Sequence, residues 1–75
     1  MPEQQHSPLV NLLVNGDPRT VPLDCTVAAL IDALGLQTRR VAIAVNRNVV
    51  PRYAFATHQL AADDRVEILE AVGGG

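Results

Sequence analysis

The sequence predicts a small α+β domain: a mixed sheet of four to five strands with one main helix across a single face. Three observations predict it. Short apolar runs with period-two alternation recur at residues 9–14, 41–45 and 65–71, as in strands. A single stretch, Val27, Leu30, Ile31 and Leu34, has the i, i+3, i+4, i+7 spacing of an amphipathic helix. The chain has 75 residues, about half of them apolar, enough for one small core. A lone short helix needs a sheet to lie on, and a mixed sheet covered on one face satisfies every apolar pattern.

Residues 1–8 are polar, contain two prolines and lack periodicity, so they read as a disordered leader. In the first strand Val10, Leu12 and Val14 share one face, and Leu9 and Leu13 take the other. A strand apolar on both sides belongs inside its sheet. Asn15-Gly16 is a strong hairpin signal. Residues 19–23 return as a second strand, placed at an edge because Pro22 cannot donate to a ladder.

Thr26 is the expected helix N-cap and Gly35 the stop signal. The third strand alternates Val41, Ile43 and Val45 with alanines, so one face packs and the other is shallow. Asn46-Arg47-Asn48 turns into a short fourth strand, Val49-Val50, stopped by Pro51. A helical turn over residues 52–58 should place Tyr53 and Phe55. Asp63-Asp64 is the turn before the last strand, since Asp tolerates left-handed angles. The domain proper is expected over residues 9–71, with residues 72–75 as a flexible tail. One sheet face then keeps Leu9, Leu13, Leu69 and alanines near solvent, apolar surface of the kind that marks partner sites.

Composition excludes several functions. The net charge is −2 and the six basic residues, all arginine, are dispersed, which argues against a phosphate-tracking stripe. One tyrosine and one phenylalanine make no stacking platform for single strands. The lone Cys25 rules out an internal disulfide and a cysteine cluster, and fits a reducing compartment. His6 and His58 have no ligand spacing with it and read as surface residues. Cys25 reads as a small packed residue before the cap rather than a reactive thiol. No metal site, nucleophile–base pair or bound cofactor is expected. Neither a transmembrane run nor a signal-peptide core is present, so a cytoplasmic protein is expected.

The organising stretch is the last one, Val72-Gly73-Gly74-Gly75. Three glycines cannot add to a core, but they let a bare chain end enter a narrow channel with the Gly75 carboxyl first. The working hypothesis is that this carboxyl reacts and that Gly73 and Gly74 present it. A frayed end is the competing reading.

Four segments together carry a family resemblance. They are Leu12-Leu13-Val14-Asn15-Gly16, Cys25-Thr26-Val27 running to Leu30, Ala44-Val45-Asn46-Arg47-Asn48-Val49-Val50-Pro51-Arg52, and the end from Asp64 through Gly75. In this order the chain resembles the ThiS family, the sulfur carriers of thiamine biosynthesis, from about Leu9 onward. The resemblance implies a ubiquitin-like β-grasp fold. It also departs from the family in three places. The leader is longer than usual, Ala62-Asp63-Asp64 replaces a common Asp-Gly-Asp, and three terminal glycines stand where many members have two.

The resemblance implies a carrier, not an enzyme. An E1-like adenylating enzyme would use MgATP to adenylate Gly75. A persulfide donor of the cysteine desulfurase type would convert the adenylate to a thiocarboxylate. A thiazole synthase would receive the sulfur. The apolar open face, with Leu9, Leu13, Leu69 and Arg65, would dock these partners. No nucleic acid or membrane partner is implied. Two alternatives stay open: the small subunit of molybdopterin synthase, with the same chemistry, and a non-catalytic β-grasp binding module. A protein modifier is less favoured, and the absence of lysine excludes lysine-linked chains on itself.

Overall fold

Strands β1 (Leu9–Val14) and β2 (Asp17–Pro22) form an antiparallel hairpin in the computed structural model, which describes residues 8–71. Residues 1–7 of the expected leader, and the whole tail, lie outside the described residues. Val14 pairs with Asp17, so Asn15 and Gly16 alone make the loop, with φ of 51° and 87°. This is the type I′ geometry that suits the strand twist and calls for Asn-Gly. Such a tight loop leaves no spare residue, so β2 starts at Asp17 rather than Arg19 and ends at Pro22 rather than Leu23. β2 is an edge strand, as Pro22 requires, and Pro18 is accommodated there too. Val10, Leu12 and Val14 face the core, while Leu9 and Leu13 take the outer face.

Helix α1 (Val27–Ala33) is only seven residues long, too short to persist alone. Tertiary partners complete its first turn. Val27 N–H donates to the His58 carbonyl (3.0 Å) and Ala28 N–H to the Phe55 carbonyl (2.8 Å). Ala29 N–H donates to the Thr26 hydroxyl (3.1 Å), the predicted N-cap. The far end closes with Gly35 N–H on the Asp32 carbonyl and Leu36 N–H on the Ile31 carbonyl, a Schellman pattern. Gly35 has φ +74°, which explains a glycine at that stop. Val27, Leu30 and Ile31 are fully buried against the sheet, and Leu34 packs at the margin.

A 3₁₀ turn over Thr38–Arg40 leads to β3 (Val41–Val45), which buries its valines and isoleucine and turns its alanines outward. Asn46 and Arg47, both left-handed, connect it to β4 (Asn48–Val50) at the other edge. A second 3₁₀ turn (Arg52–Ala54) exposes Tyr53 and leads into Phe55, which is buried. Leu60 also enters the core, with its N–H on the Cys25 carbonyl. Asp63 adopts φ 68°, the left-handed turn expected of it.

The last strand, β5 (Arg65–Glu70), takes the centre of a five-stranded sheet ordered β2-β1-β5-β3-β4. It runs parallel to β1 and antiparallel to β3. Mixed sheet, one helix and one covered face are the β-grasp arrangement expected. No polar or charged side chain is buried among the described residues.

Candidate functional site

The site is built around β5, because this strand carries the chain to its last described residue, Ala71. Each neighbour of β5 grips it at a different level. At its start, Asn46 accepts the Arg65 N–H on Oδ1 (3.0 Å) and donates its own N–H to the Arg65 carbonyl (2.8 Å). The Asn46 amide also donates to the Asp64 carboxylate (2.9 Å). Midway, Ile68 N–H donates to Asn15 Oδ1 (2.8 Å), and Asn15 Nδ2 donates to the Ile68 carbonyl (3.2 Å). The Asn15 side chain thereby continues the parallel ladder past the point where β1 turns away. At the exit, Ala71 N–H donates to the Arg40 carbonyl (2.7 Å).

The outer face of the sheet is open. Arg65, Glu67 and Leu69 alternate with the buried Val66 and Ile68 and point outward. The register sets Leu13 beside Arg65, Ala42 across from Leu69 and Ala44 across from Glu67. Val49 lies beyond Ala44 and is exposed. Leu13, Arg65 and Leu69 line one shallow groove of about 500 Å³. Leu9 is on the same face but four residues upstream on β1, outside that groove. Gly73, Gly74 and Gly75 lie outside the described residues.

Cys25 is buried, and its thiol donates to the Thr26 carbonyl at 3.4 Å. Burial, and secondarily the Asp24 carboxylate, push the thiol pKa up, which disfavours the thiolate. Among the described residues, no group of His, Cys, Asp and Glu is placed to hold a metal ion. No described helix is long and apolar enough to cross a membrane.

Three features escape a sequence reading. Asn15 and Asn46 read as turn residues, but their amides also bind β5. Val49 joins the open face, as alternation with the buried Val50 indicates. Arg52 meets Arg39 and Arg40, which adjoin each other but lie far from it in sequence, beside Ala71.

The family model that matches this chain is that of the ThiS family, over residues 12–75. The chain belongs to the ThiS family. The crystal structure of the thiamine biosynthesis protein ThiS from Geobacter metallireducens is similar, with a TM-score of 0.75 and 38% identity. That match covers 88% of this chain and all of the Geobacter protein. A thiazole synthase from Paramagnetospirillum magneticum is 35% identical over 66 residues, and one from Magnetococcus marinus is 32% identical over 62. These cover 88% and 83% of this chain, which spans only about a fifth of either synthase (20% and 19%). The ThiS match extends across Gly73, Gly74 and Gly75, and it includes Leu13, Arg65 and Leu69 of the groove.

Proposed function

We propose that this chain is a sulfur carrier for thiamine biosynthesis whose reactive group is the Gly75 carboxylate. The observation that carries the reading is a ThiS-family match running through the final glycines. The chain's last strand sits at the centre of the sheet and leads toward that end.

The chemistry follows from what a carboxylate lacks. Its carbon is a poor electrophile, so an E1-like enzyme transfers AMP from MgATP to it and releases pyrophosphate. A persulfide, supplied by a cysteine desulfurase, attacks the acyl adenylate and expels AMP. Reduction of the resulting acyl disulfide by a thiol leaves a thiocarboxylate on Gly75. A thiazole synthase takes that sulfur into the thiazole ring. The similarity of part of two thiazole synthases to this chain supports that recipient. The carrier itself supplies no acid, base or metal. Its part is presentation: a fixed domain docks through the groove of Leu13, Arg65 and Leu69, with Leu9 at the margin, and Gly73 and Gly74 let Gly75 reach the active site. The proposed place of action is the cytoplasm.

The test is intact mass after incubation with the organism's own activating enzyme, MgATP and a persulfide source. The expected result is replacement of one oxygen by sulfur, mapped to Gly75 by sequencing the terminal peptide. A chain that gains neither adenylate nor sulfur under these conditions is not a carrier, and a binding module takes its place.

A further inference from the structure

Three of the six arginines gather where the chain leaves the sheet. Arg39 and Arg40 end the 3₁₀ turn before β3, and Arg52 begins the one after β4. All three are exposed, and they line a shallow hollow with Leu69, Glu70 and Ala71. The fold fixes the cluster. The Arg52 guanidinium donates to the Arg39 carbonyl at 3.1 Å, and the Arg40 carbonyl accepts the Ala71 N–H at 2.7 Å. The rest of the chain carries the other three arginines against seven of its eight carboxylates. The molecule is therefore acidic as a whole and basic at the root of its tail, a distribution that orients an approaching partner.

We propose that Arg39, Arg40 and Arg52 form a basic docking collar, and that its occupant is an acidic protein surface bordering the active-site entrance of the enzyme that activates Gly75. The inference rests on the carrier reading above. If Gly75 reacts, four residues separate the reacting group from Ala71, and four residues span at most about 14 Å. An active site that holds Gly75 thus brings its own surface to within that distance of Ala71. A protein surface so close also lies against the three guanidinium groups around that residue. Carboxylates there complement them in sign, whereas basic groups would repel the carrier at the moment of docking. The collar differs from the apolar groove in what it does: the groove contributes buried area, and the collar contributes rate of encounter and orientation.

The test uses the full chain, the organism's activating enzyme and MgATP, reading ATP–pyrophosphate exchange against carrier concentration. For the charge-reversed R39E/R40E the expected result is a KM raised about tenfold or more with kcat nearly unchanged. R39K/R40K, which keeps the charge, should stay close to wild type. The wild-type KM should rise from low to physiological salt, since exposed pairs are screened. A wild-type KM indifferent to salt overturns the collar, as does a folded R39E/R40E with a wild-type KM. A wild-type chain that supports no exchange at all overturns the carrier reading, and the collar with it.

Discussion

Arg47 occupies a backbone conformation that its side chain does not favour. Its φ is 72°, at the second position of a two-residue turn where the other hairpin has Gly16 at 87°. An L-residue with Cβ costs about 1–2 kcal/mol in this region relative to glycine. Arg47→Gly should therefore raise the unfolding free energy by roughly 1 kcal/mol, offset in part by glycine's larger unfolded-state entropy. Urea unfolding would register this as a higher midpoint with an unchanged slope. The left-handed angle of Asp63 could be read from its residue type, but that of Arg47 could not, because arginine carries no such preference. Cys25 gives a second residue-scale outcome. Its folded-state pKa lies above the ordinary thiol value of 9.0, so the folded chain holds the proton more tightly than the unfolded chain. The associated stability is complete below 9.0 and is lost as pH rises from there through the higher folded-state value. Alkylation of Cys25 by iodoacetamide near neutral pH should accordingly be much slower in the folded protein than in denaturant. Equal rates would contradict both its burial and its raised pKa.

At the scale of elements, β5 depends on contacts that periodicity does not reveal. The alternation of Val66 and Ile68 with Arg65, Glu67 and Leu69 marks a strand and its two faces. It does not say that the last strand lies between the first and the third. Backbone pairing with β1 and β3 makes that placement, and an asparagine from each hairpin reinforces it, Asn15 reaching a partner 53 residues away in sequence. The short helix is a similar case: Thr26, Gly35 and the apolar stripe were readable, whereas the carbonyls of Phe55 and His58 that complete its first turn were not. The 3₁₀ turn at Thr38–Arg40 is likewise not legible in the sequence, since residues 38–40 have no apolar period to announce it. Asn15→Ala tests the grip on β5. It removes the acceptor for Ile68 N–H and the donor to its carbonyl, both partly buried. Leaving such groups unpaired costs about 1–3 kcal/mol. Hydrogen exchange should localise the loss, with Ile68 amide protection falling more than that of Val45 on β3. An equal fall at both would mean only a global loss of stability.

On the scale of the whole molecule, the core lies on one face of the sheet and the proposed docking surface on the other. The inner face and α1 hold the core, where Leu30 and Ile31 have no exposed surface. The outer face leaves Leu69 75% exposed beside Arg65 and Leu13. Substitutions on the two faces should therefore fail in different ways. Leu30→Ala removes buried area and leaves a cavity, at a cost of about 2–5 kcal/mol, a large part of the stability of so small a domain. Leu69→Asp gives up little on folding, because most of that side chain is already in water, and melting should move by no more than a few degrees. Docking is another matter. Covering the exposed part of a leucine is worth about 1–2 kcal/mol, and an aspartate in its place is left without a partner. Leu69→Asp should then weaken the apparent affinity of the activating enzyme for the carrier by about tenfold or more, read as KM in ATP–pyrophosphate exchange. Leu13→Asp, in the same groove, should behave alike, and Leu9→Asp, at the far end of β1, should have a smaller effect. If Leu69→Asp melted like Leu30→Ala, the outer face would be part of the core after all. If it melted and docked like the wild type, the enzyme would approach the tail from another side, and the groove beside β5 would have no part in recognition.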